Sequence, residues 1–156
     1  MYVRKDREQK GVDCSMDATK QSYYQYLKDL FLNAPFSETL NITGTEAEPG
    51  QATLYMEIKW DKHMNTNQTL HGGVTASLLD TASGMSVRTL LDETETIATV
   101  NLSINFLKPG FSGKLTAKGR VKSKGKKMAT VEAEVFDEKN NLLANSIATF
   151  VILPKK

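Results

Sequence analysis

The chain has 156 residues, with 20 Lys and Arg against 18 Asp and Glu for a formal net charge of +2, and a single cysteine. A chain of this length holds one domain with a real core, and so small a charge argues against a nucleic-acid partner. Lone Cys14 excludes an internal disulfide and a cysteine metal cluster, no apolar run approaches the roughly 20 residues that span a bilayer, and Met1–Lys10 lacks an apolar signal core; the expectation is a soluble, cytoplasmic protein.

Met1 to Met16 is polar and expected to be loosely ordered. Cys14 sits in that stretch with no histidine nearby, which argues against a nucleophile. Asp17 is placed to cap a helix over Ala18 to Asn33, where Tyr24, Leu27, Leu30 and Phe31 recur at helical spacing until Pro35 stops it. The tyrosines there read as packing against the body of the domain. Phe36 to Thr45 and Ala52 to Trp60 read as two strands joined through Glu48-Pro49-Gly50. In the second, Leu54, Met56, Ile58 and Trp60 alternate with polar residues, which buries one face.

A polar loop, Asp61 to Thr69, leads into the central stretch Leu70 to Leu91, which reads as one helix of about five to six turns. An acidic turn follows at Asp92–Glu95. Ile97 to Leu107 alternates Ala98, Val100, Leu102, Ile104 and Phe106 against Thr99, Asn101, Ser103 and Asn105 before Pro109-Gly110 breaks it. Gly113 to Lys122, Met128 to Phe136 and Leu142 to Leu153 read as three further strands, with turns at Lys124-Gly125-Lys126 and Asp137–Asn141. The last is apolar enough to lie inside a sheet. Helix, two strands, long helix and four strands in a meander imply an α+β domain with a largely antiparallel sheet and the helix across it.

The long helix carries the chemistry. At about 100° per residue, Val74, Leu78, Ala82 and Met85 form one apolar stripe. Asp80 points roughly the opposite way, ringed by Ala76, Ser77, Ser83 and Gly84, with Gly73 a turn back. Such a small-residue face admits the close approach of another chain or a ligand. Gly72 and Gly73 open the helix, where unpaired N–H groups and the positive dipole end can hold a carbonyl oxygen as it gains charge. Asp80 can orient or deprotonate a water, or attack carbon itself. Yet Asp80 lies about 12 Å along the axis from Gly72 at 1.5 Å per residue, too far for one carbonyl group to touch both. The constellation closes only if two such helices lie antiparallel in an isologous dimer, with Asp80 of one chain at Gly72 of the other.

Leu70-His71-Gly72-Gly73, Asp80 nine residues after the histidine, and the strand Thr99-Val100-Asn101-Leu102-Ser103-Ile104-Asn105-Phe106-Leu107-Lys108-Pro109 together resemble the hotdog-fold acyl-CoA thioesterases of the phenylacetate-pathway type. The resemblance covers Phe36 to Leu153. It implies a hotdog domain over 36–156 behind a leader and helix over 1–35, with a six-stranded antiparallel sheet wrapped round the long helix. It also implies dimers that often pair into tetramers, and thioester hydrolysis. By the same resemblance the Gly72 N–H polarises the thioester carbonyl, and Asp80 of the partner chain is general base or nucleophile. Asn65 contacts thioester or water, His71 and Gly73 help to position loop and substrate, and Thr99 helps to hold the water. Coenzyme A enters only as part of the substrate, with no metal or redox cofactor. Gln68 departs from the pattern, since many relatives have glycine there. Thr99 shares strand parity with Asn101 and Ser103 rather than with the apolar positions.

Two further features stand beside the motif. His63 has no partner pattern and reads as a surface-loop residue. Lys118, Arg120, Lys122, Lys124, Lys126 and Lys127 form a basic hairpin, which is either a solvated edge that discourages sheet-to-sheet association or, through Lys124, Lys126 and Lys127, a landing place for the phosphates of coenzyme A. The rival activities are a hydratase or dehydratase acting on acyl thioesters, and a non-catalytic acyl-CoA sensor.

Overall fold

A computed structural model describes residues 18–155; the Asp17 cap and Cys14 lie outside the described residues. Helix α1 (Ala18–Leu32) and the short α2 (Pro35–Thr39) precede strands β1 (Ile42–Glu48) and β2 (Gln51–Glu57). The single turn α3 (Trp60–His63) leads to the long helix α4 (Gly72–Arg88). Strands β3 (Glu95–Phe106), β4 (Lys114–Lys124), β5 (Met128–Phe136) and β6 (Leu142–Pro154) complete the chain. The six strands form one sheet in the order β1-β2-β4-β5-β6-β3, and every pairing is antiparallel. No helix is long and apolar enough to cross a membrane among the described residues.

Helix α4 lies across this sheet as expected. Leu78, Leu79, Ala82 and Met85 are fully buried against Leu54, Met56, Leu115, Ala117 and Val135. Each large side chain so removed from water contributes about 1.5–3 kcal/mol. Val74 lies at the margin of the stripe, half buried. The far end of α4 packs Val87 with Val131, Ala148 and Phe150. There the hydroxyl of Thr89 accepts from the Gly50 amide at 2.7 Å and donates to the Ser86 carbonyl, fastening the β1–β2 turn to the helix end. Gly50 takes φ +72°, a conformation glycine adopts without steric cost. Helix α1 sits on the same body: Leu27 is fully buried and Tyr24 nearly so, while Tyr26 and Leu30 stay exposed. The Tyr23 hydroxyl donates to the Arg88 carbonyl.

Four readings of the sequence change. Phe36 to Thr39 is helical rather than extended, because Pro35 occupies the first position of α2, where its fixed φ suits a helix and its missing N–H costs nothing. Trp60 does not continue the alternation of β2; pairing with β4 stops at Glu57↔Lys114, and Trp60 begins α3, exposed. The last four strands are not a simple meander. β4, β5 and β6 are, but β3 pairs with β6 at the edge opposite β1. The segment after it, whose Gly110 carbonyl accepts from Leu70 N–H, carries the chain past the start of α4 to the other side of the sheet. The long helix is also shorter than read, since Leu70 is tied to Met64 in a β-bridge and His71 is its N-cap.

Candidate active site

The loop before α4 is built on Asn65. Its carboxamide oxygen accepts from the amides of Asn67 (2.9 Å) and Thr69 (3.2 Å), and its nitrogen donates to the Thr69 hydroxyl. Backbone bonds from Asn65 N–H to the Thr69 carbonyl and from Gln68 N–H to the Asn65 carbonyl close the turn. Gln68 sits in it at φ 61°. That left-handed backbone explains why a glycine suits the position, and Gln68 adopts it at a cost of about 1–2 kcal/mol.

The turn delivers His71 to the head of α4. Its Nδ1 accepts from the Gly73 amide at 2.8 Å, so that nitrogen carries no proton and the exposed ring presents an Nε2–H donor. Capping thereby consumes the Gly73 amide. The next two amides, of Val74 and Thr75, turn back to the His71 carbonyl. The Gly72 amide has no acceptor among the described residues, as expected of a first-turn donor. A cavity of about 310 Å³ adjoins it, lined by Leu70, Gly72, Thr75, Phe106, Pro109 and Leu143. On the other side of the same turn lies a larger space of about 780 Å³ between α2, α3 and α4, reached by His71, Gly73, Val74 and Ser77.

Asp80 is half buried on the flank of α4 facing β3. Thr99 Oγ1 donates to its Oδ1 at 2.9 Å. This contact corrects the parity read from the sequence. Thr99 pairs with Phe150 but Asn101 with Thr149, so Val100 is an extra, bulged residue. Before the bulge Ile97 and Thr99 face the helix; after it Leu102, Ile104 and Phe106 do, opposite the core-facing Ala148, Ser146 and Ala144. The signal was present in the sequence, because Ile97 and Leu102 are both large and apolar yet of opposite parity. The small-residue face is also narrower than expected. Ala76 and Ser77 are half exposed, but Ser83 and Gly84 are buried, Gly84 against Ile97 and Phe150 of its own sheet.

His63 is the residue that sequence reasoning misplaced. It is buried, 2 % exposed, with Nδ1 accepting from the Lys59 amide at 2.9 Å and Nε2 set 3.3 Å from the Thr39 carbonyl. A lone histidine in a polar loop carries no sign of this, since the bonding partners come from a turn and a helix that exist only once the chain has folded.

The basic hairpin divides in two. Lys118, Arg120 and Lys122 lie on strand β4 in register with acidic β5: Lys118 opposite Glu134, Arg120 opposite Glu132, and Lys122 within 3.0 Å of Glu132. Lys124, Lys126 and Lys127 stand exposed at the turn, unmatched in this way. That turn lies at the C-terminal end of α4, since Val121 N–H donates to the carbonyl of Gly50, which itself bonds Thr89. Seventeen residues of helix, about 25 Å, separate it from Gly72 of the same chain.

Comparison with known proteins identifies the family. The family model described as the thioesterase superfamily matches residues 67–144, from the Asn65 loop through the start of β6. A Saccharolobus solfataricus protein named as an esterase, SSO1253, is 36 % identical over 118 residues, which cover 74 % of this chain and 77 % of that one. The Escherichia coli medium/long-chain acyl-CoA thioesterase YigI is 32 % identical over 96 residues, 53 % of this chain and 62 % of YigI. The E. coli PaaI protein of the phenylacetic acid degradation operon superimposes with a TM-score of 0.77 at 23 % identity, covering 88 % of this chain and 96 % of PaaI. This α+β chain, with a six-stranded antiparallel sheet folded about one long helix, belongs to the thioesterase superfamily and is a hotdog-fold thioester hydrolase.

Proposed function

We propose that the protein hydrolyses acyl-CoA thioesters at a site completed by two antiparallel copies of the chain. The observation that carries this reading is the separation of Gly72 and Asp80. A free amide and a hydroxyl-tethered carboxylate sit on one rigid helix about 12 Å apart, and no single carbonyl group reaches both. An antiparallel partner helix brings the Asp80 of one chain to the Gly72 of the other. Ala76 and Ser77, half exposed on the flank beside Asp80, leave room for such an approach. β3 has a neighbour on only one side, so its free edge is available for strand pairing in the same dimer. The acyl-CoA substrate is suggested by the similarity to YigI.

In this mechanism Asp80 takes a proton from water as its oxygen attacks the thioester carbon. The carbonyl electrons move to oxygen, where the Gly72 N–H meets the developing charge. Collapse breaks the carbon–sulfur bond, and the proton held by Asp80 passes to the departing thiolate, leaving free acid and coenzyme A. Direct attack by the Asp80 carboxylate, followed by hydrolysis of the anhydride, uses the same two groups. Either route balances with water alone and calls on no metal or redox cofactor. Asn65 and His71 shape the turn that presents Gly72, and the His71 Nε2–H faces outward toward the entering substrate. A single oxyanion donor is worth about 10²–10³ in rate.

Mixing two disabled variants tests the shared site. Gly72→Pro deletes the amide hydrogen at a helix position where proline fits, behind a His71 already in the extended conformation proline requires. Asp80→Asn removes the base. Each homodimer should lose at least about 10² in turnover, while co-refolded heterodimers, holding one intact Gly72–Asp80 pair, recover a large share of it. Mixtures as inactive as the separate variants would overturn the two-chain site. Measuring free coenzyme A release also separates hydrolysis from the hydratase and sensor alternatives.

A further inference from the structure

We infer that His63 is a positioning residue for the oxyanion donor, acting through α3 and His71; this rests on the reading of Gly72 given above. The imidazole joins three elements at one buried point. Its Nδ1 accepts from the amide of Lys59, the N-cap of α3, while the backbone amide of His63 donates to the Lys59 carbonyl at 2.9 Å. The two residues thus close a reciprocal pair in the manner of a capping box, one position later than usual. Because Nδ1 accepts, the ring proton sits on Nε2, aimed at the Thr39 carbonyl at the end of α2. The carbonyl of His63 then accepts from His71 N–H at 2.8 Å, and His71 is the residue whose ring caps α4 and whose peptide group carries the Gly72 amide.

The chain of causes is short. A four-residue helix does not hold itself together, so the orientation of the His63 carbonyl depends on the side-chain bond that ties α3 to its own start. Without that bond the Lys59 amide loses its acceptor, α3 frays and His71 N–H loses its partner. The Gly72 N–H then no longer points in a fixed direction. A donor that acts on charge developed only in the transition state should lose kcat while substrate binding is kept.

Three substitutions test the assignment. In His63→Asn the carboxamide oxygen stands near the Nδ1 position and keeps the Lys59 bond. His63→Gln reaches toward Thr39 and gives up the Lys59 bond, and His63→Leu loses both. The expected result is a kcat within about threefold of the parent for Asn and reduced tenfold or more for Leu and Gln, with KM for acyl-CoA changed less than about twofold throughout. If Leu fails to fold, the Asn and Gln pair still decides. Equal kcat in those two folded, dimeric variants overturns the inference, as does a loss that appears in KM alone. Failure of the underlying reading shows itself differently, as Gly72→Pro and Asp80→Asn proteins that keep full turnover.

Discussion

The hydroxyl of Thr99 donates a 2.9 Å hydrogen bond to the carboxylate of Asp80, across the gap between the edge strand and the central helix. The bond uses one carboxylate oxygen and so restrains the side chain on the flank of the helix that β3 faces. Thr99→Val removes the donor with little change in shape. A hydrogen bond to a charged group is worth about 1.5–3 kcal/mol, so kcat/KM for acyl-CoA should fall by about ten- to a hundredfold at 1.4 kcal/mol per decade. Thr99→Ser should stay near the parent rate. A Thr99→Val enzyme at full activity would show that the carboxylate is held by other means.

Lys124, Lys126 and Lys127 are too far from Gly72 of their own chain to serve it, but in the proposed antiparallel dimer they would come to the end of the assembly where the partner's α4 begins. If they receive the phosphates of coenzyme A, replacing all three with Ala should raise KM for acyl-CoA several-fold, most at low salt where screening is weak. Turnover at saturation should stay within about twofold, and an acyl-pantetheine lacking the nucleotide should be unaffected. An unchanged KM for acyl-CoA would leave the turn as a solubilising edge.

Gly119 marks where the helix touches the sheet most closely. A Cβ built there would stand 2.4 Å from the Ala82 carbonyl oxygen and 2.7 Å from its carbon, both backbone atoms of α4. The helix must move to admit even a methyl group. Gly119→Ala should therefore destabilise the fold by about 3 kcal/mol and lower Tm by about 10 °C, with activity per folded molecule largely kept. A Tm within 2 °C of the parent, by the same scale, would mean that the two layers are free to separate.

Much of this protein could be read along the chain because the signals are local. The stripe of Leu78, Ala82 and Met85 in α4, the alternation in β2, β4 and β5 and the turns between the later strands each depend on residues within a few positions of one another. The motif Leu70–Gly73 with Asp80 is likewise contained in eleven consecutive residues, from just before the cap to two and a half turns into one helix. From these came the α+β class, the sheet about the helix and the two groups of the proposed chemistry. What the sequence left undetermined was decided by distant partners. The edge position of β3 depends on pairing with β6, roughly forty to sixty residues away along the chain. The bulge at Val100 exists only in that pairing, and it alone turns Thr99 to Asp80. The burial of His63 needs Thr39 and Lys59 brought together around one ring. The physical reason is common to all three: a hydrogen bond or a register is a property of two segments, and its outcome is set by which segments the packed core brings side by side.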